Sequence, residues 1–232
     1  MIWIDRLALF SPLDYAAVAT LFIGWVSIGY FIENPPTSRP SVSYLMTHYR
    51  KEWMRHFVDR NPRVFDAQIL GNLRQGTAFF ASTSMIAVGG GLALIGNAEQ
   101  LAGVASEFTL VEASPIVLEL KIMIMLIFVA NAFLKFVWAH RLFGYCSVVM
   151  AAVPNDTNDS RTLPRADTAS EINITASRSF NRAMRSVYFG LAASAWLFGG
   201  VALLIATVIT LFVLWRREFA SQSRTALLQE QV

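Results

Sequence analysis

Apolar residues fall along the chain in long unbroken runs, separated by stretches where polar and apolar positions recur at helical spacing. A bilayer core of about 30 Å takes roughly 20 apolar residues as a helix, and four segments have that length. They are 14–32, with Leu21, Phe22, Ile23, Trp25 and Tyr30; 77–97, with Phe79, Phe80, Met85 and the triplet Gly89, Gly90, Gly91; 116–140, with the stretch Ile122 to Ala130; and 190–215, from Gly190 to Trp215. Backbone groups in hydrocarbon must find partners within their own segment, so each run is expected to be a helix. The alternating ten-residue strands of a membrane barrel are missing from the pattern. The expected fold is all-α: a polytopic membrane protein with four transmembrane helices plus cytoplasmic amphipathic helices, in a single membrane domain over 1–232.

Between the runs the period stays helical. After Pro35, Pro36 and Pro40, the residues Val42, Leu45, Met46, Tyr49 and Trp53 share one helical face. This predicts an interfacial helix over about 42–60, with Arg50, Lys51 and Arg55 as lipid-facing basic residues on its polar side. Pro62 breaks that helix, and another starting near Arg63 is expected to run without interruption into the second span. Residues 154–170 are rich in Asn, Asp, Ser, Thr and Pro and predict a flexible linker. Helical spacing resumes with Phe180, Met184, Val187 and Tyr188. The glycine triplet, and Ala195 with Gly199, predict close helix packing.

Composition agrees with the pattern. Of 232 residues, 55% are hydrophobic and only 15% charged, against about 25% charged in soluble domains, and the mean hydropathy is +0.46. A single cysteine excludes an internal disulfide framework and a zinc site built on several thiolates. Charge then orients the spans. The connection after the first span carries Arg39, Arg50, Lys51, Arg55, Arg60, Arg63 and Arg74. The one after the third carries Arg141, Arg161, Arg165, Arg178, Arg182 and Arg185. Residues 98–115 carry Glu99, Glu107 and Glu112 and no basic residue. By the positive-inside rule the two basic connections are expected to be cytoplasmic and both termini external. Arg216 and Arg217, after the fourth span, are the dissenting signal. The opening MIWIDRLALF lacks a convincing cleavage site, so the first span reads as an uncleaved anchor. The net charge of +3 suits anionic headgroups as partners; motifs for nucleic-acid binding are missing.

Candidate chemistry is sparse. Lys135 lies within the third span, where an ammonium usually faces protein or water, and Asn131 precedes it by one turn. Two readings stay open: snorkelling or structural pairing, and a solute or proton role. Arg141 continues the same helix. In an antiparallel hairpin it lies roughly level with Asn72, with Asp66 in reach of Arg141 or Tyr145 as a partly buried ion pair. Asp66, Asn72, Asn131, Lys135 and Arg141 therefore form the candidate polar cluster. His48, His56 and His140 are poorly disposed for haem or a metal, so no cofactor and no metal is expected. Nucleophile elbow, Walker, Rossmann and zincin motifs do not occur, and the expectation is a non-enzyme without catalytic residues.

Three blocks occur in order: PRVFDAQILGNLRQGTAFFAST (Pro62 to Thr83), FLKFVWAHRLFGYCSVVMAAVP (Phe133 to Pro154) and SFNRAMRSVYFGLAASAW (Ser179 to Trp196). The WRREF ending, Trp215 to Phe219, follows them. Together they resemble the integral membrane family called domain of unknown function 599, known in bacteria and plants. The resemblance carries the family's polar positions onto Arg63, Asp66, Asn72, Lys135, Arg141 and Asn181, and it assigns no activity. The expected location, a bacterial inner membrane, rests on this resemblance and not on charge. Two functions remain: an accessory or scaffold subunit working through other membrane proteins or itself, which is favoured, and a homo-oligomeric channel or small-solute transporter using Lys135, Asn131 and Arg141.

Overall fold

A computed structural model describes residues 9–100, 103 and 114–229. The opening anchor segment falls partly outside this range, and most of the acidic connection 98–115 lies outside the described residues. Seven α-helices carry the described chain: α1 Pro12–Glu33, α2 Val42–Val58, α3 Val64–Gly96, α4 Pro115–Ala151, α5 Thr162–Ser194, α6 Gly200–Phe219 and α7 Gln222–Gln229, with a short 3-10 turn, Ala195–Phe198, between α5 and α6. Four helical stretches, Pro12–Glu33, Val64–Gly96, Pro115–Ala151 and Gly200–Gln229, are long and apolar enough to cross a membrane.

Helix starts follow from local chemistry. Ser11 and Asp14 cap α1 reciprocally: Asp14 N–H donates to Ser11 Oγ at 3.2 Å, and Ser11 N–H donates to Asp14 Oδ2 at 3.1 Å. Pro12 and Pro115 open α1 and α4, where a missing N–H costs nothing. Ser41 caps α2 by accepting from Tyr44 N–H at 3.1 Å, and its hydroxyl donates back to Ile32 O at 2.7 Å. The orphan N–H of Ser43 in α2 finds Glu218 Oε2 at 2.9 Å, and Ser43 Oγ donates to Glu218 Oε1 at 2.9 Å.

Two compact units divide the residues, one within Met1–Gly29, Thr83–Ala132 and Met184–Trp215, the other within Tyr30–Ser82, Phe133–Ala183 and Arg216–Val232. The first is held by Phe128, which is buried against Phe22 at 5.1 Å, Trp25 at 5.3 Å and Phe189 at 6.2 Å between ring centroids. Gly91 permits a close helix approach: a Cβ there would fall 2.3 Å from Leu126 Cδ2. Directions within this unit are plain. Arg185 lies beside Gly29 and Trp196 Nε1 donates to Asp14 Oδ1 at 2.7 Å, so α5 runs antiparallel to α1. Gly200 packs on Leu13 and Asp14, and Leu211 on Gly24, so α6 runs parallel to α1. The second unit has its core in Met54, Phe57, Leu70, Phe143, Cys146 and Met150. A triangle of Phe80, Phe136 and Phe180, with centroids 5.4–5.8 Å apart, belongs to the same unit.

Three sequence expectations change. The stretch 190–215 is not one helix: α5 ends at Ser194, and Gly199 takes φ 107° and ψ 170°, a conformation open essentially to glycine alone, before α6 starts in the reverse direction. Hydropathy sums residues without seeing a corner. The linker 154–170 is shorter than expected, because α5 begins at Thr162. Pro164 is compatible with a first helical turn, and Thr162 Oγ1 anchors that turn on Asp156 O at 2.7 Å. Arg161 pairs with Asp159 in the remaining turn and holds its carboxyl well below the usual carboxylate range. Finally, α2 turns Leu45, Met54, Phe57 and Val58 inward and leaves Met46 exposed. Its buried apolar residues meet protein.

Gly199→Val should lower stability by about 1–3 kcal/mol through backbone strain alone. Thermal melting in detergent checks this, and an unchanged midpoint would remove the corner's requirement for glycine.

Candidate functional site

The second unit contains a buried acid. Asp66 lies in the first turn of α3 and is fully buried. Trp53 Nε1, on α2, donates to Asp66 Oδ1 at 2.7 Å, and the Arg60 guanidinium donates to the same oxygen. The break at Pro62 brings this about: α2 ends at Val58, the chain turns through a cis Asn61–Pro62 bond, and α3 starts at Val64. Arg63 secures the turn from its other side. Its guanidinium donates to Val153 O at 2.8 Å, Pro154 O at 2.9 Å and Val58 O at 3.3 Å, and lies 4.4 Å from the Phe57 ring centroid. One arginine thus ties the end of α2 to the end of α4.

The expected pairing of Asp66 with Arg141 or Tyr145 does not form. Arg141 donates to its own neighbour, Tyr145 OH, at 2.8 Å, while Asp66 is served by Trp53 and Arg60. Asn72 accepts from Gln68 at 3.2 Å on an exposed face. In the first unit Asn131 Nδ2 donates to Ser186 Oγ at 2.6 Å. Lys135 is half-buried and also engaged. Each member of the predicted cluster therefore has its own surroundings, and Asp66, Asn72 and Arg141 do not converge on one another.

The basic residues of α2 separate likewise. Arg50 turns inward and donates to Asn173, a fully buried residue of α5. Burial is the larger influence on this guanidinium and draws its pKa below the ordinary arginine value. Lys51 pairs with Glu171 at 3.0 Å. Arg55 stays exposed, as expected of a basic residue on the polar face. Asn173 also donates to Cys146 Sγ at 3.8 Å, and that thiol donates to Ala169 O at 3.4 Å. Asn181, which the family resemblance singles out, donates to Ser43 Oγ at 3.4 Å, beside the Glu218 contact. Sequence reasoning missed Trp53, Arg60, Asn173 and Glu218 as polar partners. Only Arg60 carried a usable signal, sitting six residues before Asp66 across a proline.

In the first unit α3 offers an open face. Met85, Ile86, Leu92 and Leu94 are exposed. A Cβ built at Gly89 or Gly90 would meet nothing within 4 Å, in contrast to Gly91 beneath Leu126. Of the apolar window of α3, 17% of the residues are buried, against 22%, 22% and 28% in the other three stretches.

The family model described as protein of unknown function, DUF599, matches residues 16–223, and the chain belongs to that family. Neither the curated proteins nor the solved structures provide a match.

Asp66→Asn should lower stability by about 1–3 kcal/mol, the partly exposed Arg60 softening the loss of the charge pair. Combined with Arg60→Met, it should cost less than the two single changes added together. Additive melting shifts would show that the pair is not coupled.

Proposed function

We propose that the chain is an accessory or scaffold subunit that holds a partner membrane protein through α3. The observation that carries the reading is the face around Gly89 and Gly90, where apolar side chains flank two positions without a Cβ. Such a surface lets a second helix approach closely, and helix association in lipid depends on that packing. The side chains expected to line a pathway support this reading over a channel, since Asn131 is engaged by Ser186 and Arg141 by Tyr145.

We place the protein in a bacterial inner membrane, with the start of α1 external and the basic connections cytoplasmic. The parallel run of α1 and α6 supports a cytoplasmic end for α6, in place of the external terminus expected from four simple crossings. Arg216 and Arg217 then join the other arginines on the positive side, and the dissenting signal in the sequence disappears. In this arrangement the end of α5 makes an additional crossing beside the four long apolar stretches.

Native mass spectrometry of gently extracted protein should find a foreign subunit at fixed stoichiometry, and Gly90→Leu should deplete it at unchanged membrane abundance. A chain that extracts alone, or only with copies of itself, would oppose the subunit role. Cysteines placed at Ser11 and Gln222 should label from opposite sides of the membrane; labelling from one side would return the external terminus.

A further inference from the structure

A pocket of about 340 Å³ in the second unit is bordered by α3 and by the end of α4. Leu70 and Met150 give it an apolar wall, while Arg63, Arg74, Ser147 and Asn155 give it a polar one. None of its lining residues is acidic. Two carboxylates adjoin its lining in sequence: Asp66 is occupied by Trp53 and Arg60, and Asp156 accepts from Asn158 N–H at 2.9 Å.

The two arginines differ in what they have left to offer. Arg63 spends its guanidinium on three backbone carbonyls and the Phe57 ring, so it is a fixed part of the wall. Arg74 is exposed, and its guanidinium has no hydrogen bond or ion pair among the described residues. A cation with its donors unspent, at a concave site with a second fixed cation, is an anion receptor in chemical terms. Space is available as well: Gly71 lines the pocket, and a Cβ there would meet nothing within 4 Å.

We propose that this pocket binds a phosphate-bearing anion, with Arg74 as the contact that reaches it. The planar fork of arginine suits the paired oxygens of a phosphate, and Asn155 adds a further polar side chain, while the Ser147 hydroxyl is spent on Phe143 O at 3.0 Å. Arg74 precedes Thr77, where the expected second span starts, by three residues, or about 5 Å of helix. That is headgroup depth. The same chemistry is carried by a phospholipid headgroup and by a soluble phosphate ester, and the proposal does not depend on the subunit role.

Protein purified in neutral detergent separates the sources. One arm presents nanodiscs of dioleoyl phosphatidylglycerol or phosphatidylcholine and counts retained lipid by native mass spectrometry. The other titrates inorganic phosphate and glycerol 3-phosphate by calorimetry. Preference for phosphatidylglycerol would identify the lipid source, and saturable binding of the soluble anions the other; either supports the site. In whichever arm binds, Arg74→Ala should weaken binding about five- to tenfold, with Arg74→Lys recovering part. Gly71→Leu should remove binding by filling the space, while Arg161→Ala, in an exposed turn, should leave it unchanged. No binding in either arm, or equal binding by Arg74→Ala and the natural chain, would overturn the proposal. A fall with Arg161→Ala as large as with Arg74→Ala would do the same, since it would reduce the effect to general surface charge.

Discussion

Hydrocarbon extends for about 30 Å, whereas α3 and α4, at 33 and 37 residues, run for about 50 and 55 Å. Much of each helix must therefore find burial against something other than lipid tails. The second unit is the answer to that constraint. Leu70 on α3 and Phe143, Cys146 and Met150 on α4 are covered by Met54 and Phe57 from α2 and by Ala169 and Ala176 from α5. Polar helix faces outside the apolar runs are thus not free to be solvated everywhere. They acquire partners because the surplus helix needs a coat.

That coat explains how the charged groups are used. A carboxylate or guanidinium set among packed helices is costly unless it is hydrogen-bonded, and the second unit meets this with pairs drawn from different helices. Asp66 takes Trp53 and Arg60, Arg50 takes Asn173, and Glu33 takes Arg182 in a two-pronged contact at 2.8 and 3.1 Å. The contacts of Asp66 and Arg50 also bear on the register of the helices they join, since a slip of one residue would leave an inward-facing charge without its partner, whereas Arg182 is exposed.

Most of the helices were legible in the sequence because apolar runs and prolines report directly on length and breaks. The α2–α3 break at Pro62 and the uninterrupted passage from α3 into an apolar span are examples. What escaped was direction and partnership. Around Gly199 and Gly200 the composition stays apolar on both sides, so nothing in a sliding average marks the reversal. The polar face of α2 was equally opaque. Arg50, Lys51 and Arg55 look alike in sequence, yet one meets Asn173, one meets Glu171 and one stays exposed. Those fates depend on α5, more than a hundred residues away, and helical periodicity contains no information about it.

The contact between Glu218 and the N-terminal turn of α2 joins residues 175 positions apart. Ribosomes add about 5–20 residues per second, so Ser43 emerges on the order of 10–35 s before the carboxylate that completes its hydrogen bonding. Through that interval the elbow between α1 and α2 lacks this contact, and also the later one from Arg224 Nε to Pro40 O at 2.8 Å. The contact therefore joins an early and a late element of the second unit. A chain interrupted before Glu218 would leave the N-terminal turn of α2 without that carboxylate, and the orphan N–H of Ser43 would have to find another partner.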